Sequence, residues 1–202
     1  MTEDEARDWI AAQFGGAGVD RLDRFATLVA AENERQNLIA PSTVATIWSR
    51  HIVDSAQLID GAPADGEWLD VGTGGGFPGL VVGLLRPAPM LLVEPRRRRA
   101  AFLADCIEAL EVPHVGVRAC RVELLREPVA VISARAVASV ATLFADARHV
   151  ATRDTLWLLP RGRDTMAQIA EAEQHWCGVF HVKQSVTAAD SAILVATQVR
   201  AR

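Results

Sequence analysis

Apolar positions in the first sixty residues recur at helical spacing. Leu22, Phe25, Leu28 and Val29 fall on one face, which predicts an amphipathic helix capped by Asp20. Val44, Ile47 and Trp48 repeat the pattern, with Ser42, after Pro41, as the candidate cap. GAPADGE (61–67) then ends the helical style with a cluster of turn formers. From Trp68 onward short apolar runs alternate with helical stretches. WLDV (68–71), MLLVE (90–94), VGVRA (115–119), VAVIS (129–133) and TLWLL (155–159) read as strands. Helices are predicted at 80–85, along Ala101, Phe102, Cys106, Ile107 and Leu110, at 138–149 and at 164–176. VFHVKQSV (179–186) and SAILVATQV (191–199) have no helix between them and should form an antiparallel pair. Strands alternating with helices imply a mostly parallel sheet covered on both faces. In such a sheet, ligands bind beyond the carboxyl ends of the strands.

The chain has 202 residues, half of them hydrophobic. That suits an N-terminal helical extension over 1–60 followed by one α/β domain over 61–202. No apolar run reaches the roughly 18 residues of a membrane span. The first residues, MTEDEARDWIAAQF, are acidic where a signal peptide would be basic and then apolar. Cys106, Cys120 and Cys177 show neither CxxC pairing nor an even count, so they read as buried or incidental thiols in a cytoplasmic protein. The net charge of −4 is unevenly spread: residues 1–85 hold 5 basic and 13 acidic side chains, whereas residues 86–163 hold 13 arginines and 8 acids. A positive middle third suits a polyanion. Arginine makes up 20 of the 21 basic residues, however, so the bias also reads as composition alone.

Candidate chemistry centres on WLDVGTGGGFPG (68–79), with five glycines in the eight positions from Gly72 to Gly79. Two frames fit it. Gly74-x-Gly76-x-x-Gly79, with Glu94 20 residues beyond Gly74, has the spacing of a dinucleotide site, and an NADP-dependent oxidoreductase is the corresponding alternative. Pro78 sits where that frame's helix should already run, and the strand ends too early. In the other frame, Asp70-x-Gly72-x-Gly74-x-Gly76 places an acid at the strand end. This resembles the first motif of Rossmann-like methyltransferases that use S-adenosylmethionine, a ligand with two cationic centres and no phosphate. Glycines at Gly72, Gly74 and Gly76 let backbone approach it closely. Glu94, at the end of the second strand, has the lone pairs to accept from both ribose hydroxyls; its bland reading is a surface acid offsetting Arg96 to Arg99. The second frame fits the strand end better.

Five further strings resemble one family, the bacterial small-subunit ribosomal RNA guanine-N7 methyltransferases, also called the glucose-inhibited division protein B family. They are Glu34-Arg-Gln-Asn-Leu-Ile39, His51-Ile-Val-Asp-Ser55, the loop Gly72 to Gly79, Arg121-Val-Glu123 and Ser133-Ala-Arg-Ala-Val-Ala-Ser139. The resemblance implies a Rossmann-like class I methyltransferase fold. That is a mostly parallel seven-stranded sheet with an antiparallel C-terminal strand, helices on both faces and added N-terminal helices. It implies S-adenosylmethionine as cofactor and 16S ribosomal RNA or the small ribosomal subunit as partner; no membrane partner and a monomer are expected beside it. Carried over by position, Gly72 and Phe77 contact the cofactor, and Val122 and Glu123 sit at the adenine. By the same resemblance Arg135, after the fourth strand, lies beside the cofactor and the target nucleotide, and Arg121 matches an RNA-contacting arginine of the family. Leu159-Pro-Arg-Gly162 departs from the family's usual Lys-Gly, so Arg161 has less support than the others.

Arg96 to Arg99 open a helix where positive charge opposes the macrodipole. Arg96 and Arg97 are therefore candidate phosphate contacts, with a solvated face as the equal alternative. His51 and Asp54 stand three apart and could face one another, reading as a buried structural pair rather than catalysts. No metal spacing links His114, His149, His175 and His181. The expected chemistry needs no catalytic acid or base, because guanine N7 carries an unprotonated lone pair. Arg135 is the positioning residue, to guanine O6 or a flanking phosphate. A methyltransferase of other specificity and a non-catalytic RNA-binding module remain the alternatives.

Overall fold

Thr2 opens the first helix with a reciprocal cap. Its hydroxyl accepts the Glu5 N–H at 3.2 Å, while the Glu5 carboxylate accepts the Thr2 N–H at 2.7 Å. In this computed structural model, which describes Met1 to Arg202, helix α1 then runs over Glu3–Asn33. Gly15, at φ 72° and ψ 175°, kinks it. Asp20 therefore lies inside a helix and does not cap one, which corrects the expectation. Ser42 is no cap either: Pro41–Thr46 is a 3-10 turn with Ala40 at its N-cap position and no side-chain cap. The chain continues through a π turn at Trp48–Ile52, helix α2 (Val53–Ala56) and a 3-10 turn at Gln57–Ile59. The orphan amides at the start of that run are capped from afar. Glu3 accepts the N–H groups of Trp48 and Ser49 at 3.0 and 2.9 Å.

Seven strands follow: β1 (Trp68–Val71), β2 (Met90–Val93), β3 (Val115–Arg118), β4 (Val129–Ser133), β5 (Ala151–Arg161), β6 (Trp176–Gln184) and β7 (Ala192–Ala201). They form one sheet in the order β3-β2-β1-β4-β5-β7-β6. β1 to β5 are parallel, and β7 inserts antiparallel between β5 and β6, as the missing helix between the last two strands implies. β5 extends past the apolar TLWLL at both ends, and β6 starts at Trp176, three residues early. Trp176 pairs with Ala201 and is the one buried residue of β6, whose other positions are part-exposed or exposed as befits an edge strand, so continuous apolarity was the wrong marker there.

Helices α3 (Gly79–Leu85) and α4 (Arg97–Ala109) share one face with α1. α5 (Val140–Ala147) and α6 (Thr165–Ala172) cover the other. Alternation along the strands decides which residues meet which layer. Trp68, Val131 and Leu158 point to the α1 side; Leu69, Ile132, Trp157 and Leu159 point to the α5 side. Leu22, Phe25, Ile52 and Leu58 belong to the same apolar cluster as Trp68 and Leu80. Each such buried side chain stabilises the fold by about 1.5–3 kcal/mol, so the N-terminal helices are anchored to the sheet. That anchoring sets the segment from Arg50 to Asp54 over the carboxyl ends of β1 and β4.

Candidate functional site

The glycine loop is fastened before it meets any ligand. Gly79 begins α3 so tightly against β1 and β2 that a Cβ there would lie 2.4 Å from Leu92 Cδ2 and 2.6 Å from Asp70 Cβ. Gly76 combines φ 97° with Phe25 Cζ 2.9 Å from where its Cβ would be. These two glycines serve packing. Asp70 is fully buried; its Oδ2 accepts the Gly79 N–H at 2.9 Å and its Oδ1 accepts the Ser133 hydroxyl at 2.7 Å. Ser133 Oγ in turn accepts the Trp68 indole N–H at 2.9 Å. Burial pushes the Asp70 carboxyl up to about 6, against the pull of these hydrogen bonds. Asp70 therefore does not reach the open cavity, contrary to the expectation of a cofactor contact. The nearby Gly79 amide has captured it. The same bond removes the first-turn amide of α3 that a pyrophosphate would need, which counts against the dinucleotide frame.

Glu94 closes the other side of the loop. Its two oxygens accept the N–H groups of Gly74 and Arg96 at 3.0 and 2.9 Å, leaving further lone pairs free. Beside it lies a cavity of about 1060 Å³ over the ends of β1, β4 and β5. Gly72, Gly74, Phe77 and Arg135 form its walls as expected, whereas Gly76 and the buried Glu94 stand behind them. Val122 does not: it packs in the cluster beneath α5. Glu123 sits beside Arg121 at 3.9 Å, outside the same walls, and the Arg121 side chain is 77% exposed. Arg96 and Arg97 are exposed, and the arginine of that run that reaches the cavity is Arg99. Arg99 donates to the Asn37 carbonyl at 2.7 Å, so it also ties α4 to the N-terminal segment. Helix phase explains the choice: of the four consecutive arginines, Arg99 is the one turned towards the loop.

Arg135, just beyond β4, is held by the helical segment. Its Nη1 lies 3.4 Å from Asp54 Oδ2 and 3.3 Å from the Arg50 carbonyl, and its Nη2 donates to His51 Nδ1 at 2.9 Å. The Phe77 ring lies 5.3 Å beneath the guanidinium. His51 and Asp54 thus do not bond to each other as their spacing suggested; both converge on Arg135. A guanidinium only donates, so His51 Nδ1 accepts and its proton is assigned to Nε2, 2.8 Å from Thr43 Oγ1. Burial, then the charges of Arg135 and Arg50, pushes His51 down to about 3. The ring is neutral and both nitrogens are engaged, so it is not a poised general base.

Arg161 contrasts with Arg135. It ends β5, is only 9% exposed, and its Nε and Nη2 find no hydrogen-bond partner. Burial pushes its guanidinium below the ordinary value. A cation kept from water without a counter-charge is costly, and this one borders the cavity. Sequence reasoning gave it little support. The available signal was its place at the carboxyl end of a parallel strand. With Arg50, Arg99 and Arg135 it leaves the cavity positive against one acid, Asp54.

A family model described as GidB, rRNA small subunit methyltransferase G, matches residues 19–194. A ribosomal RNA small subunit methyltransferase G of Erythrobacter litoralis is 43% identical over 96% of this chain and 95% of its own length. One from Sphingopyxis alaskensis is 44% identical over 96% of this chain and 86% of its own. Among solved structures, a SAM-dependent methyltransferase from Aquifex aeolicus superposes with a TM-score of 0.60 at 11% identity, covering 86% of this chain and 98% of the other. A ribosomal protein L11 methylase from Lactobacillus delbrueckii gives 0.58 at 12% identity, over 72% and 76%. At such identities these structures speak for the fold alone: α/β, Rossmann-like, of the class I methyltransferase type.

Proposed function

The chain belongs to the GidB family of rRNA small subunit methyltransferases, and from that premise we propose that it transfers a methyl group from S-adenosylmethionine to N7 of one guanine in 16S ribosomal RNA. The observation that carries this reading is the cavity itself: glycine backbone on one side, four arginines with Asp54 on the other, and no residue poised to move a proton. Its volume suits a cofactor and a nucleotide together, being just above the roughly 300–1,000 Å³ of ordinary ligand sites.

S-adenosylmethionine supplies a methyl group already activated on a sulfonium. Gly72 and Gly74 leave room for it, and Glu94 has free lone pairs for ribose hydroxyls. Val122 and Glu123, following β3, are the candidate flank of the adenine. Guanine N7 attacks through an in-plane lone pair and needs no base, so these residues work by geometry and by excluding water. Phe77 forms an apolar wall for the reacting groups. Arg135 donates to guanine O6 or to a phosphate, and Arg161 gives an RNA phosphate the partner position that the fold leaves open. Arg121, Arg96 and Arg97, all exposed, are candidates for more distant phosphates. The target guanine must leave its stack to reach this depth. The ribosomal substrate supports a cytoplasmic site of action.

The test is transfer from labelled S-adenosylmethionine to ribosomal RNA, mapped by strand scission at N7-methylguanine. One labelled guanine in the small-subunit RNA is expected. Label at other atoms or in other RNA would contradict the substrate, and a melting temperature raised by NADP but not by S-adenosylhomocysteine would contradict the cofactor.

A further inference from the structure

Methyl transfer by itself does not require that two residues of the N-terminal segment grip an arginine 81 and 84 positions away. Resting on the reading above, we propose that His51 and Asp54 are positioning residues that aim the Arg135 guanidinium at the methyl acceptor, with Gln57 and Thr187 fixing Asp54 in turn. A guanidinium has five N–H donors in a rigid plane. Asp54 and the Arg50 carbonyl occupy the two on Nη1, and His51 occupies one on Nη2. The Nε–H and the second Nη2–H are left for a ligand. The Phe77 ring, 5.3 Å below, fixes the face. A long side chain that would otherwise sample many rotamers is thereby ordered when the protein folds, before substrate arrives.

The grip has its own support. Asp54 Oδ1 accepts from Gln57 Nε2 at 3.1 Å and from the Thr187 hydroxyl at 3.3 Å. Gln57 donates to Ser185 Oγ at 2.9 Å and accepts the Val186 N–H at 3.0 Å. The loop between β6 and β7 is thus bonded to the carboxylate that holds Arg135. On the other side Thr43 fixes the His51 ring. Three separate stretches of chain meet on one side chain at the cavity wall, and each carboxylate oxygen of Asp54 has its own task.

That division of tasks makes Asp54→Asn a selective test. Its retained oxygen serves Gln57 and Thr187, while its amide N–H₂ opposes the Arg135 donors. We expect kcat on ribosomal RNA to fall about tenfold to a hundredfold, the loss typical of a misplaced positioning group. S-adenosylhomocysteine affinity should stay near wild type, while the melting temperature should fall, because the Arg135 cation loses its counter-charge. The Asp54→Asn/Arg135→Ala double variant should be no slower than Arg135→Ala, because the second residue acts through the first. His51→Gln, which keeps an acceptor, should preserve most of the kcat that His51→Leu loses. Losses that multiply in the double variant would overturn the proposal. So would a lowered melting temperature with unchanged kcat per folded molecule. A wild-type chain that transfers no methyl group would sink the underlying reading and this one with it, so the two failures are told apart by the wild type.

Discussion

The ends of β4 and β5 each present a guanidinium to the same cavity, and the two are treated in opposite ways. Arg135 is bonded on three sides by groups from the helical segment, whereas Arg161, also buried, has Nε and Nη2 unpartnered. A cation whose partners are internal is ordered by folding and contributes geometry. A cation without partners holds unspent electrostatic energy that only an incoming anion can release. The comparison assigns different work to two residues of the same type: orientation at β4, attraction at β5.

Stability should separate them most visibly. Arg135→Met leaves Asp54 without its counter-charge and should destabilise the fold by about 1–3 kcal/mol, discounted for the 18% exposure of the arginine side chain. Arg161→Met removes an unpaired buried cation and should leave the melting temperature unchanged or raise it by an amount worth about 1 kcal/mol. Thermal unfolding of both variants checks this, and equal losses would erase the contrast. RNA binding comes next in size. Arg161→Ala should reduce the slope of log affinity against log salt by about one, as expected for one lost phosphate contact. An unchanged slope would mean that Arg161 meets no phosphate.

Acid should sharpen the picture least but cleanly. His51 is held at about 3, below its ordinary 6.5, so the folded state binds its proton less readily than the unfolded state. Its contribution is whole above about pH 6.5 and is lost as pH falls towards 3. Asp70 runs the other way. Its carboxyl is raised from 3.8 to about 6, so its contribution is present below 3.8 and is lost as pH rises through 6. Melting curves of wild type and His51→Gln should therefore diverge below pH 6.5, with the wild type falling faster; parallel curves would contradict the neutral, acceptor role of His51.

Much of this fold was readable because its signals are local. Apolar runs such as WLDV and VAVIS marked central strands, and the lack of a helix after residue 186 marked the antiparallel pair. Gly72, Gly74, Phe77 and Arg135 were placed at the cavity from motif and resemblance. What stayed hidden depends on distance in the chain. Asp20 is no cap because its helical segment already restarts after the break at Gly15, five residues earlier, and runs on through the acid. Asp70 turned inward because the Gly79 amide lay within 2.9 Å. His51 and Asp54 have a helical spacing that invited a local pair, yet their partner lies beyond β4. The absence of a partner for Arg161 is likewise a three-dimensional fact that no spacing encodes.

Single-turnover methyl transfer measured beside RNA affinity, for Arg135→Ala and Arg161→Ala, separates the two assignments most directly. Arg135→Ala should slow transfer about a hundredfold or more with RNA affinity little changed, since it removes a donor that acts at the reacting group. Arg161→Ala should weaken RNA binding about tenfold, the size of one lost charge-assisted contact, with transfer from the bound complex near wild type. If both variants move the same quantity by the same factor, the distinction between a held and a waiting arginine is wrong.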